Sequence, residues 1–165
     1  MIIIRIYLQV NMNNVFNSII HNQNFNKKIK IILLILSKYN TRCAEILSAK
    51  FSDYYPDIHL ILKGSKRSSD ITIRDSIILE LIKELPASKD NLIFSGVSYR
   101  TIYSIVKKNY SHLFKKFKTK HNYKVTHGFR YYNAQFVKDS KQLKSVLHHN
   151  SEYSGVFYNP KFPKK

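Results

Sequence analysis

Four residues towards the end of the sequence have the types and spacing to act together on a phosphodiester. His127 and Arg130 stand three apart in Thr-His-Gly-Phe-Arg (Thr126–Arg130), His149 ends the run Leu147-His148-His149, and Tyr158 follows nine residues later. A guanidinium presents a planar fork that matches two phosphate oxygens. An imidazole takes or gives a proton near neutral pH, and a phenol becomes a nucleophile once activated. Thr126 is a good N-cap before an apolar pattern at Phe129, Tyr132, Phe136 and Val137, which predicts a helix starting near His127. On such a helix His127 and Arg130 share a face one turn apart. They could grip one anion beside the free N–H groups of the helix start.

Two upstream stretches could complete this set. In Tyr39–Leu47, Arg42 precedes Glu45 by three residues, between two apolar segments. An Arg at a helix start projects from a rigid base, and a carboxylate one turn later can hold its fork for bidentate contact. The plain alternative is a solvated ion pair of little consequence. Further on, Lys63-Gly64-Ser65-Lys66-Arg67-Ser68-Ser69 separates the short apolar runs Ile58–Leu62 and Ile71–Ile73. Gly and Ser between such runs predict a hairpin with a basic tip, which by itself could simply make nonspecific phosphate contacts.

Together these residues resemble the catalytic domain of the tyrosine recombinase (phage integrase) family. His127-x-x-Arg130, Leu147-x-His149 and Tyr158 are similar to its C-terminal half, and Arg42-x-x-Glu45, with Asp53 beyond, to the stretch around its first catalytic Arg. Lys63-Gly64-Ser65-Lys66 resembles the family's Lys-Gly-x-Lys hairpin, with Lys63 at the matching position and Lys66 the alternative. Two departures stand out. His148 occupies a position where the family usually has Gly, and the segment between Arg130 and His149 is a few residues shorter, around Lys138–Lys141.

The resemblance runs from about Ile29 to Lys161. It implies an α+β fold, mostly α-helical with a small antiparallel sheet. It also implies site-specific recombination or integration on double-stranded DNA, with no metal or other cofactor. In that scheme Tyr158 attacks phosphorus to give a 3′-phosphotyrosyl intermediate, and Lys63 protonates the leaving 5′-oxygen. Arg42 and Arg130 neutralise the nonbridging oxygens, His127 assists proton transfer from the Tyr, and His149 hydrogen-bonds the phosphate. A nicking-closing enzyme similar to type IB topoisomerases would use the same residue set, and a decayed integrase remnant would only bind DNA. The expected layout is an extension over 1–26 and the catalytic domain over 27–165, without a separate N-terminal core-binding domain. Because only Asn159–Lys165 follow Tyr158, a homotetramer built on a docking C-terminal helix is the weaker expectation.

Composition agrees with such a partner. The 165 residues fit one domain. Their net charge of +18, from 28 Lys and Arg against 10 Asp and Glu, favours a polyanion. Ile, Asn, Lys and Tyr are abundant, as in AT-rich coding sequences, so part of the Lys excess belongs to that bias. Nucleic acid is favoured over a membrane, because no long basic amphipathic helix of the membrane-surface kind is present and the apolar opening Met1–Val10 is too short to span a bilayer. The single Cys43 excludes an internal disulfide and fits a reducing compartment.

The elements that must carry the site are legible in outline. Lys27–Lys38 reads as a core helix capped by Asn26, with a buried strand as the alternative, and the Asn-rich 11–26 before it as a loop or weak helix. Asp75 caps a helix to Leu85 that buries Ile78, Leu81, Ile82 and Leu85 and stops at Pro86. Ser98–Phe117 reads as a second amphipathic helix through Ile102, Val106, Leu113 and Phe117. Its other face carries Arg100, Lys107, Lys108, Lys115, Lys116 and Lys118, for solvent or for a DNA backbone.

Overall fold

The computed structural model describes residues 13–65, 68–114, 125–135, 137 and 140–148. Its centre is helix α2, Lys27–Tyr39, in which every residue from Ile31 to Ser37 is buried. A helix apolar on all sides has to be wrapped. Asn26 starts it, its Oδ1 accepting the Ile29 N–H at 3.0 Å. Asn40 ends it in the left-handed conformation, φ 54°, the usual way for a helix to turn out of its last carbonyls. Ahead of it, residues 13–21 form helix α1. Asparagines hide an apolar stripe there: Ile19 lies wholly inside the main core, with Val15, Phe16 and Ile20 packed against it.

After the short helix α3, Cys43–Leu47, a 3-10 turn at Phe51–Asp53 leads into the sheet. Strands β1 (Tyr54–Tyr55), β2 (His59–Leu62) and β3 (Ile71–Ile73) run antiparallel in that spatial order. Leu60 faces Ile73 and Leu62 faces Ile71, so the alternate side chains of both longer strands enter the core. Two residues are too few to display alternation, which is why β1 carries no sequence signal.

Helix α4, Ser76–Lys83, is capped by Asp75, whose Oδ1 accepts the Ile78 N–H at 3.2 Å. It buries Ile78, Leu79 and Ile82, while Leu81 and Leu85 are only partly covered. Helix α5, Tyr99–Phe114, buries Ile102, Val106, Tyr110 and Phe114. The lower half of that stripe is therefore aromatic, in place of the expected Leu113 and Phe117. Phe129 draws it there, its ring 5.5 Å from Tyr110 and 5.0 Å edge-on from Phe114. Leu113 packs at the margin, and Phe117 lies outside the described residues. Arg100, Lys107 and Lys108 are exposed as anticipated; Lys115, Lys116 and Lys118 lie outside the described residues.

Helices α6 (Gly128–Ala134) and α7 (Ser140–Val146) complete the described fold. They share a small second core of Ala134, Leu143 and Leu147, with Val137 against it. The architecture is thus mostly helical with one small antiparallel sheet. Among the described residues no helix is long and apolar enough to cross a membrane.

Candidate active site

Arg42 is the N-cap of α3. Glu45, one turn on, closes around it: Oε2 accepts the Arg42 backbone N–H at 2.8 Å and Oε1 accepts Arg42 Nη1 at 2.8 Å. This is not a solvated surface pair, since the Glu45 side chain is 4% exposed and that of Arg42 24%. Burial pushes the Glu45 carboxyl up, but the hydrogen bonds from the Arg42 N–H, the Ser68 hydroxyl and the guanidinium together hold it below the usual carboxylate range. The carboxylate is ionised and fixed, and it leaves the Arg42 guanidinium partly open to solvent. Cys43 beside it is buried, and burial pushes its thiol up to about 12.

The same carboxylate reaches the hairpin between β2 and β3. Glu45 Oε1 also accepts the Ser68 hydroxyl at 2.8 Å, and Ser68 Oγ accepts the Ser65 N–H at 3.0 Å. Lys63, the residue after β2, is 59% exposed, with Nζ 3.5 Å from Asp70 Oδ2. Asp70 Oδ1 accepts the Gly64 N–H at 2.8 Å. Gly64 is where the returning chain crosses: a Cβ built there would stand 2.2 Å from the Ser68 carbonyl oxygen. Lys66 lies outside the described residues.

Helix α6 begins one residue later than the sequence predicts. The Thr126 hydroxyl does not cap it but pairs with the Tyr99 hydroxyl at 2.8 Å. Thr126 sits in a 3-10 turn, Val125–His127, and His127 is the N-cap without a side-chain capping bond. His127, half-buried, and Arg130 remain one turn apart. Arg130 is 1% exposed, the largest fully buried side chain described. Its Nη1 donates to the Asn40 carbonyl and its Nη2 to the Leu147 carbonyl at 2.8 Å.

These contacts belong to a set at the end of α2. Asn133 Nδ2 donates to the Ser37 carbonyl at 3.1 Å and to Asn40 Oδ1, and His148 Nε2 meets the Tyr39 carbonyl at 3.0 Å. The last carbonyls of a helix have no partner within it and carry its negative pole. Here side chains from α6 and from the turn after α7 satisfy them, with a guanidinium at the pole. Asn40 stands two residues before Arg42, so this set brings Arg130 to the base of the Arg42 helix. Asn40, Asn133 and Ser68 were not singled out from sequence. Asn40 could have been, because an Asn just past an apolar helix signals a left-handed cap.

His148 has φ 54°, which accounts for Gly at that position in the family the sequence resembles. Histidine is one of the few non-glycine residues enriched there. Its carbonyl accepts the Ser69 N–H at 3.3 Å, so the turn touches the hairpin. The described contacts therefore join Arg42, the Lys63 hairpin, Arg130 and the first part of the Leu147-His148-His149 turn. His149 and Tyr158 lie outside the described residues.

Burial lowers the His148 pKa below its ordinary 6.5, and the charges of Arg130 and Arg42 add to this against the Tyr39 carbonyl and the Glu45 carboxylate. The neutral ring must carry its proton on Nε2, since a carbonyl only accepts. The unfolded chain then binds more protons than the native one below about pH 6.5, so stability falls on acidification through that value. Urea midpoints measured between pH 7 and 5.5 should drop more in the unmodified protein than in His148→Asn, which keeps the left-handed residue and loses the titration. Equal drops would show that His148 is not the titrating group.

No protein-family model matches the chain, and no curated protein is similar to it in sequence. A solved structure is similar in fold: XerA recombinase, at 17% identity and a TM-score of 0.56, with 87% of this chain and 57% of that chain covered. The chain thus spans a little over half the length of that recombinase, and at this identity the likeness is one of fold.

Proposed function

We propose that the chain is the catalytic domain of an enzyme that breaks and rejoins DNA in the manner of a tyrosine recombinase. The observation that carries the reading is the buried Glu45 carboxylate, which holds the Arg42 guanidinium and, through Ser68, the hairpin that bears Lys63. A guanidinium held rigidly and left partly open suits a phosphate oxygen, and a cation on a tethered arm beside it suits the oxygen that leaves. The similar fold of a recombinase supports the same reading.

In the proposed step the Tyr158 oxygen bonds to phosphorus as the bond from phosphorus to the 5′-oxygen breaks. The phenol proton passes by way of His127, the leaving oxygen takes a proton from the Lys63 ammonium, and a 3′-phosphotyrosyl ester remains. The ester conserves the bond energy, so the reverse reaction reseals the strand. Arg42 and Arg130 stabilise the added negative charge, and His149 donates to a nonbridging oxygen. Guanidinium and ammonium groups supply the positive charge this chemistry needs.

One observation favours a second reading, a basic protein that binds DNA without cutting it. Arg130 is buried, with two of its N–H groups given to backbone carbonyls. For cleavage a phosphate oxygen has to reach a guanidinium that is only 1% exposed.

A suicide substrate nicked near the scissile phosphate separates the two readings. Incubation should trap a covalent adduct, located on the Tyr158 peptide by mass spectrometry. Tyr158→Phe should lose the adduct while keeping its DNA affinity, because only the phenolic oxygen is deleted, and Tyr153→Phe should keep both. No adduct from the unmodified protein at low salt would leave the DNA-binding reading.

A further inference from the structure

We infer that Ser68 is a positioning residue for the proton donor of the cleavage step: it ties the two arms of the hairpin together so that Lys63 is held in register with Arg42. The inference rests on the reading proposed above and names a residue that reading does not use. Ser68 is buried between two strongly polar neighbours, and their chemistry fixes the direction of its hydrogen bonds. Glu45 is ionised and can only accept, so the Ser68 hydroxyl proton points at Oε1, 2.8 Å away. Its lone pairs then face the Ser65 N–H at 3.0 Å and the Ser65 hydroxyl at 3.1 Å, and the latter must be the donor.

One hydroxyl therefore links the carboxylate that holds Arg42 to the backbone two residues beyond Lys63. The bond to Glu45 is charge-assisted, the stronger kind. Two neighbours reinforce the link. The Ser68 carbonyl lies directly over Gly64, and the Ser69 N–H donates to the His148 carbonyl. Lys63 cannot set its own direction: its described ion pair, to Asp70, is long and exposed on both sides, the kind that contributes little. What orients the ammonium is the backbone it grows from, and Ser68 holds that backbone.

The test compares unmodified protein, Ser68→Ala, Ser68→Thr and Lys63→Ala on two suicide substrates. One has the ordinary oxygen at the scissile 5′ position and the other has sulfur there. When the bond from phosphorus to sulfur breaks, the thiolate leaves without a proton, because a thiol has a pKa of only about 8.5. Loss of a proton donor, or of its placement, therefore harms only the oxygen substrate. Ser68→Ala should cleave the oxygen substrate about 10- to 100-fold more slowly, less than a full general-acid loss. It should cleave the sulfur substrate at close to the unmodified rate. Lys63→Ala should show the same pattern more strongly, and Ser68→Thr, which keeps the hydroxyl, should recover most of the rate.

Equal slowing on both substrates would overturn the inference, since Ser68 would then act through Arg42 or the fold. No slowing on either would overturn it as well. If the unmodified protein cleaves neither substrate, the cleavage reading itself has failed. Amide exchange then decides for Ser68: Ser68→Ala should lose protection across residues 63–65 by about tenfold or more, the scale of one charged hydrogen bond, with α2 unaffected. Unchanged protection would end the positioning role.

Discussion

Arg130→Met is expected to lower the stability of the protein without DNA by about 2–6 kcal/mol, because two buried carbonyls lose their donor at about 1–3 kcal/mol each. Its guanidinium holds three segments at once: the α6 it belongs to, the end of α2 through the Asn40 carbonyl, and the turn after α7 through the Leu147 carbonyl. Methionine fills much of the volume but leaves both carbonyls without that donor in a site closed to water. A domain of ordinary stability, about 5–15 kcal/mol, would lose a large share of it. Arg130→Lys should fall between, because a single ammonium cannot span two carbonyls set for a fork. The measurement is the urea midpoint of each variant without DNA. An arginine kept only for phosphate would leave that midpoint where it was, and such a result would remove the helix-end role assigned to this side chain.

Gly64→Ala is expected to be almost as damaging, and to act on cleavage more than on the global fold. The added carbon would lie 2.2 Å from the Ser68 carbonyl oxygen and 2.6 Å from that of Ser69. Both obstacles are backbone, so no side-chain tip can swing aside, and the two arms of the hairpin must part. Overpacking of this kind costs about 1–3 kcal/mol or more. Parting the arms also stretches the bond from Ser68 to Glu45 and shifts Lys63. A displacement of about 1 Å at a reacting group costs roughly 100-fold in rate. Thermal unfolding together with suicide-substrate cleavage tests this. A Gly64→Ala protein that melts and cuts like the unmodified one would mean that the two arms do not pass so close to each other.

Both residues show where reading the sequence stops. Caps are local, so Asn26 and Asp75 announce their helices correctly, and the alternation of β2 and β3 is visible within a few residues. The spacing of Arg42 and Glu45 suggested a held fork, and the structure has one. Distant partners are not visible in this way. Nothing in the chain says that Ser68 answers Glu45 across 23 positions, or that Arg130 answers Asn40 across 90. Arg130 reads from sequence as a ligand for an outside anion, and its bonds to two carbonyls of its own fold are not announced there. Thr126 read as a cap because cap chemistry is local, yet a hydroxyl on Tyr99 competes for it from another helix. The stripe of α5 runs through Tyr110 and Phe114 because both rings pack on Phe129, which follows later in the chain and leaves no local signal.

Cys43 gives this architecture a clock. The thiol lies buried at the first turn after Arg42, and burial pushes it up to about 12, so near neutral pH it is protonated and out of reach of a soluble alkylating reagent in the closed state. It reacts when the start of α3 opens, and at moderate reagent concentration the labelling rate reports how often that happens. With a single cysteine in the chain, the signal needs no engineered probe. Labelling with and without a DNA duplex would time the loosening or tightening of the arginine's own footing, a motion that a cleavage assay registers only after the strand has been cut.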